Sequence, residues 1–185
     1  MKSKGFDVII IGGGVIGSSI AYHLLSDGFD GTVAVLEKDP SYEFASTPRS
    51  LGGIRQQFST EINIRICLYG IAAIERFDEA MAVNGEPARA GYQPHGYLFL
   101  AGDRNYEALE RNYRLQRSLG VEVDFLTPEH LKDVIPHLNL NGLHGGYLGR
   151  RAGYMDPFGI LQGYLRKAKS LGAVYIEGEV VDAEG

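Results

Sequence analysis

Hydrophobic positions in the first forty residues fall into two different periods. Asp7-Val-Ile-Ile-Ile11 is a short, β-branched apolar run, the pattern of a strand buried on both faces of a parallel sheet. Residues 18–26 instead carry apolar side chains at Ile20, Ala21, Leu24 and Leu25, which is helical spacing. After Asp27-Gly28, Thr32-Val-Ala-Val-Leu36 reads as a second strand ending at Glu37. Residues 7–37 thus predict a βαβ unit with a right-handed crossover, and the turn between its first strand and its helix is Gly12-Gly13-Gly14-Val15-Ile16-Gly17.

From Pro40 to Phe58 no regular period survives, and the stretch is rich in Ser, Thr, Pro, Gly and Arg, which predicts a long loop of the kind that is usually functional or disordered. Ser59 or Thr60 then caps a long predicted helix with apolar positions Ile64, Cys67, Leu68, Ile71, Ile74, Phe77 and Met81, stopped by Asn84-Gly85. A strand follows over His95–Ala101, and an amphipathic helix runs from Asn105 to Leu119 and ends at Gly120. Thr127-Pro128-Glu129 opens a short helix, because proline suits the first helical position. Leu143–Gly149 reads as a glycine-rich strand, Pro157–Leu171 as a helix, and Gly172–Ile176 and Glu179–Val181 as strands. The chain stops soon after the apolar Val180-Val181 pair, which reads as an element cut in mid-course and hence as a fragment. No internal repeat or linker-like run is present.

Composition narrows the class. The 185 residues are 44% hydrophobic and 22% charged, ordinary values for a globular chain with one good core. No run approaches the ~18 apolar residues of a membrane span, and Val8–Ile11 is too short for a signal-peptide core. Cys67 is the single cysteine, so no internal disulfide forms, and a reducing, cytoplasmic setting is expected. With 23 Asp+Glu against 18 Lys+Arg, no broad positive field awaits nucleic acid. His130, His137 and His144 are separated by Pro136 and Gly142, which break any helix that would align them, so no metal site is expected. Twenty-five glycines, about twice the usual ~7% share, call for tight turns and close backbone approach.

The glycine run explains part of that excess. It follows a predicted strand, opens a predicted helix, and is followed 20 residues after Gly17 by Glu37 at the end of the next strand. Gly12 allows the tight turn, Gly14 removes a side chain that would block a pyrophosphate, and Gly17 lets helix and strand approach closely. Free N–H groups and the helix dipole then receive the phosphates. Glu37 would accept hydrogen bonds from both adenosine ribose hydroxyls and repel a 2′-phosphate, which argues against NADP. The motif alone leaves NAD and FAD open, since both carry an ADP half.

Residues 7–24, Glu37-Lys38 and the stretch Ala45-Ser-Thr-Pro-Arg-Ser-Leu-Gly-Gly-Ile-Arg-Gln-Gln-Phe58 closely resemble the D-amino-acid-oxidase superfamily of flavoproteins, which includes sarcosine oxidase, glycine oxidase and dimethylglycine dehydrogenase. Gly96-Tyr97-Leu98, Thr127–Leu131, Gly153-Tyr-Met-Asp-Pro157 and Gly172-Ala173 resemble its middle region. The resemblance implies an α/β fold in which a Rossmann-like FAD-binding domain is interrupted by an inserted α+β substrate domain and is incomplete at the C-terminus. The expected division is residues 1–90 and 151–185 for the FAD domain and 91–150 for the start of the insert. It also implies that Gly12, Gly13, Gly14, Val15, Ile16 and Gly17 wrap the FAD pyrophosphate and that Glu37 and Lys38 lie at the ribose. Ser46, Thr47, Gly52, Gly53 and Ile54 would run along the cofactor towards its ring, and Val180 and Val181 would meet the adenine. Ser50 stands where some members carry a histidine that attaches flavin, so FAD is expected to be non-covalent.

The reaction implied is oxidation of a C–N bond in a small amino acid or N-methyl amine by hydride transfer to flavin N5, the chain alone being inactive. Arg55, with Arg49 as competitor, is the candidate for the substrate carboxylate, since an arginine fork pairs bidentately with one. His95 and Tyr97 either line the substrate side or are ordinary strand residues, while His23 and Cys67 read as structural. Two alternatives stand beside this: an NAD-dependent dehydrogenase, and an FAD-binding assembly or regulatory protein without turnover. The second draws on the wording of Gly52–Phe58, which resembles a family branch that includes a mitochondrial flavoprotein tied to respiratory complex I assembly. Self-association through exposed apolar surface is a further expectation. The electron acceptor is left open.

Overall fold

The computed structural model describes residues 5–182. Its elements in chain order are β1 (Val8–Ile11), α1 (Val15–Ser26), β2 (Val33–Glu37), β3 (Gly53–Ile54), α2 (Glu61–Glu75), α3 (Phe77–Ala80), β4 (Tyr97–Gly102), α4 (Tyr106–Ser118), β5 (Val123–Leu126), α5 (Pro128–Val134), β6 (Leu143–Gly149), β7 (Gly153–Tyr154), α6 (Pro157–Ser170) and β8 (Val174–Glu177). They form two compact units. Unit 1 takes the residues up to Gly52, Arg76–Gly91 and those from Asp156 onward, and unit 2 takes Gly53–Glu75 and Tyr92–Met155. Residues 53–75, inside the stretch expected for the FAD domain, therefore pack in unit 2, and the return to unit 1 comes at Asp156.

Unit 1 is built on the parallel sheet β1-β2-β8. Register places Ile10, Val35 and Tyr175 side by side on one face, where Ile10, Val33 and Val35 form a core with Ala21 of α1, Ala168 of α6 and Ala173. The alternate positions Ile9, Ile11, Val174 and Ile176 share the other face and are 58%, 65%, 45% and 38% exposed. This corrects the expectation of a strand buried on both faces: a side-chain period of two sends every second residue of β1 to this side, where only Ala34 of the central strand is fully buried.

In α6 the Asp156 side chain accepts from the Phe158 N–H at 2.9 Å, with Pro157 at the first helical position. Asp156→Ala is expected to cost about 1 kcal/mol in urea unfolding, the usual worth of such a cap.

The long helix expected to reach Met81 breaks at Arg76 into α2 and α3, which belong to different units. Phe77 is buried with its ring centroid 4.9 Å from that of Tyr164, so tertiary packing overrides the helical period there. Asn84 and Gly85 both adopt positive φ (54° and 84°) in a two-residue turn closed by the Val83–Glu86 bridge, the backbone this dipeptide favours.

Unit 2 carries the antiparallel sheet β4-β6-β5 and the short ladder β3-β7. Ala101, Val121, Val123 and Tyr147 form its core with Ile64 of α2, and Leu109 and Tyr113 of α4 pack against them. Strand β5 has no counterpart among the elements expected from the sequence, and the strand expected over Glu179–Val181 does not form.

Candidate functional site

The turn between β1 and α1 is shaped by three glycines, each for a different reason. Gly12 has φ +95°, which side-chain-bearing residues rarely adopt. A Cβ on Gly17 would lie 1.9 Å from the Gly12 carbonyl oxygen, so only hydrogen permits the close approach of α1 to the end of β1. A Cβ on Gly14 would meet nothing within 4 Å, so the space before the helix is open. Gly14 is the N-cap of α1 without a side-chain cap, and the first turn holds no acidic residue. The first helical bond runs from the Ser18 N–H to the Gly14 carbonyl, leaving the first-turn N–H groups without intrahelical acceptors. That arrangement fits a pyrophosphate.

Glu37 locks the turn from the neighbouring strand. Its Oε2 accepts from the Gly13 N–H at 2.7 Å and its Oε1 from the Asp39 N–H at 2.9 Å. Each carboxylate oxygen retains a second lone pair, so these bonds orient the acid and leave acceptor capacity for a ribose diol. Glu37 also lines a cleft of about 340 Å³ with Tyr42, Gln162, Lys169, Tyr175 and Glu177. Lys38 is exposed and paired with Glu179 at 3.5 Å.

Three residues supporting the turn were missed by sequence reasoning. The Ser18 hydroxyl donates to the Gly13 carbonyl at 2.7 Å, and the Tyr175 hydroxyl donates to Ser18 Oγ at 2.9 Å. Tyr42, 4% exposed, brings its hydroxyl oxygen to 2.9 Å from where a Gly13 Cβ would be. The only local signal for any of them was the small polar residue directly after Gly17. Burial pushes the Tyr42 phenol up to about 12, with the charges of Glu37, Tyr175 and Asp39 acting in the same direction. A raised tyrosine pKa stabilises the folded state below the unfolded value and is lost as pH climbs through the folded one. Stability is therefore expected to fall between pH ~10 and about 12, and Tyr42→Phe to reduce that slope in thermal melts.

The second candidate stretch is divided between the units. In unit 1, Ser46 is exposed, Thr47 is half-buried and accepts at its carbonyl from Ser50, and Gly52 is buried with φ +66°. Arg49 is exposed and occupied within this loop: its Nε donates to the Glu43 carbonyl at 3.3 Å and its guanidinium lies 4.9 Å from the Phe44 ring centroid. Gly53, Ile54 and Arg55 belong to unit 2. Val180 and Val181 follow β8 outside any strand, and Val181 is 91% exposed.

Arg55 is the more unusual arginine. Its guanidinium carbon lies 4.9, 5.6 and 5.5 Å from the ring centroids of Phe58, Tyr97 and Phe99. No described carboxylate pairs with it, and its Nε is buried without a hydrogen-bond partner. Aromatic faces attract the cation at about 0.5–2 kcal/mol each, but offer its N–H groups no lone pairs, as a carboxylate would. With Gly53, Ile54, Phe58, Cys67 and Tyr97 it lines a hollow of about 340 Å³. Cys67 is half-buried there, its thiol pushed up by burial against the opposing pull of Arg55. His95 is exposed beside Tyr154, with centroids 5.5 Å apart, and His23 Nδ1 lies 2.8 Å from the Ser19 carbonyl within α1.

A βαβ unit with an uncapped glycine turn, closed by an acid on the second strand, defines a dinucleotide-binding α/β protein. Comparison with known proteins makes this specific: residues 7–185 match the DAO family, described as FAD dependent oxidoreductase, and the chain belongs to that family. It is 40% identical over 181 residues to FAD-dependent oxidoreductase domain-containing protein 1 of Xenopus laevis, covering 95% of this chain and 36% of that protein. It is 28% identical over 173 residues to human mitochondrial sarcosine dehydrogenase, covering 92% of this chain and 18% of that protein. Among solved structures, L-proline dehydrogenase from P. horikoshii matches with a TM-score of 0.78 and 31% identity, covering 92% of this chain and 43% of that one. The chain thus spans about a third of the length of the first of these relatives. FAD is the cofactor of the family. Among the described residues no helix is long and apolar enough to cross a membrane.

Proposed function

We propose that this chain binds FAD without a covalent link and serves the oxidation of a C–N bond in a small amino acid or N-methyl amine. The ADP half is assigned to Gly12–Gly17, Glu37 and Lys38, and the ring-proximal half to Ser46, Thr47, Gly52, Gly53 and Ile54, with Val181 at the adenine. When bound, FAD supplies the two-electron acceptor. The chain's own residues bind and orient. The observation that carries the substrate class is Arg55, a half-buried guanidinium without a counter-ion in the same hollow as Gly53 and Ile54. Arg49, already occupied by Glu43 and Phe44, is the poorer receptor. The single, unpaired Cys67 suits a reducing compartment such as the cytoplasm.

The test is a titration of the FAD-loaded chain with N-methylglycine, N,N-dimethylglycine, glycine and L-proline, read as perturbation of the flavin absorption bands. Saturable perturbation by at least one, weakened tenfold or more in Arg55→Met and unchanged in Arg49→Met, is expected. Loss in Arg49→Met instead transfers the role, and no response to any of the four favours an assembly or regulatory protein. No turnover by the chain alone is expected. Because Ser50 offers no ring nitrogen for attachment, denaturation is expected to release all flavin into the supernatant on ultrafiltration, and retained colour would contradict the non-covalent assignment.

A further inference from the structure

Gly13 occupies a position that the dinucleotide motif leaves open to any residue, yet here it is enclosed. Its N–H donates to Glu37 Oε2 and its carbonyl accepts from the Ser18 hydroxyl, both at 2.7 Å. A Cβ at this position would lie 2.9 Å from the Tyr42 hydroxyl, 3.1 Å from Glu37 Cβ and 3.4 Å from Tyr175 Cε1, so little room is left around the peptide. The Ser18 contact reaches further. Ser18 is fully buried, and its oxygen accepts from the Tyr175 hydroxyl of β8 at 2.9 Å, which makes a directional chain from Tyr175 through Ser18 to the Gly13 carbonyl. That carbonyl would be the next acceptor, for the Gly17 N–H, if the helix were extended by one residue, and the serine hydroxyl takes it instead. In a planar trans peptide the C=O and N–H point in opposite directions, so a Gly13 carbonyl drawn in to a buried hydroxyl turns the Gly14 N–H away from the interior. The N–H groups of Gly14, Val15, Ile16 and Gly17 meet no acceptor among the described residues.

We infer that Ser18 and Tyr175 are positioning residues for the FAD pyrophosphate, acting through Gly13 rather than on the phosphates: they hold the Gly13 peptide so that the N–H groups of the turn stay open to phosphate oxygens. The inference rests on the proposed assignment of the ADP half to this turn, and it adds two residues that the motif does not contain. Donors held in place beforehand need no reorientation when the anion arrives. The chain also makes phosphate binding depend on β8, since Tyr175 stands 157 residues beyond Ser18 in the sequence.

ADP and adenosine, titrated separately into the ¹⁵N-labelled chain and followed by NMR, test this, because only ADP brings phosphates to the turn. Ser18→Ala is expected to weaken ADP binding about tenfold, the scale of one hydrogen bond to a charged group, and to leave adenosine binding unchanged. Tyr175→Phe keeps the ring beside Gly13 and is expected to weaken ADP binding several-fold. In the Ser18→Ala background it is expected to add nothing, because its effect passes through that hydroxyl. Unchanged ADP affinity in Ser18→Ala, an equal loss for adenosine, which a merely structural role produces, or additive losses in the double variant would each overturn the inference. In all three cases ADP binding by the unaltered chain leaves the cofactor assignment standing, whereas an unaltered chain that binds neither ADP nor FAD sinks both readings.

Discussion

Gly14→Val is expected to leave the fold intact and to weaken FAD binding at least a hundredfold, about 2.7 kcal/mol. Gly14 has φ −61° and ψ −175°, an extended backbone that valine adopts without strain, and a Cβ there meets no atom within 4 Å. The new isopropyl group stands in the open space before α1, where the first-turn N–H groups would otherwise meet the pyrophosphate. Flavin fluorescence quenching gives the affinity, and far-ultraviolet circular dichroism and thermal melts verify the fold. Unchanged affinity in a folded variant would move the phosphate site away from this turn.

Gly17→Ala is expected to fail for the opposite reason. Its Cβ would sit 1.9 Å from the Gly12 carbonyl oxygen and 3.1 Å from Ile10 Cγ2, and the first of these is backbone. Relief requires α1 to move away from β1, against the core that Ile10 and Ala21 share with Val33 and Val35. Overpacking of this kind costs roughly 3 kcal/mol or more, a large part of the ~5–15 kcal/mol that a folded chain has. A melting temperature lowered by roughly 10 °C is expected for a chain of this size. Two glycines three residues apart thus separate ligand space from folding space: at Gly14 the loss is in affinity with stability retained, and at Gly17 it is in stability.

The βαβ unit was legible because its signals are local. Four apolar residues, a glycine turn and a helical period follow in immediate succession, and Glu37 closes the unit at the spacing the motif requires. The caps at Thr127 and Asp156 were equally local, each followed by proline. What escaped depends on distant partners. The break at Arg76 carries no glycine or proline, and Phe77 is held by Tyr164, 87 residues further along the chain. Strand β5 has only four residues, Val-Asp-Phe-Leu, and gains its identity from pairing with β6. Val180-Val181 has strand composition but pairs with nothing in the sheet. In the sequence the preference for Arg55 over Arg49 has only the family resemblance behind it, since both lie in one loop. In the structure it rests on surroundings, a carbonyl and one ring for Arg49 against three rings and no acid for Arg55.

The glycine turn of unit 1 is proposed to hold the ADP half of FAD, and the absorption spectrum of the purified chain shows whether it does. The spectrum is recorded after incubation with excess FAD and passage through a desalting column, alongside Gly14→Val. Flavin bands retained by the unaltered chain and lost from the variant are the expected result. A colourless chain that is instead stabilised against heat by NAD would contradict it.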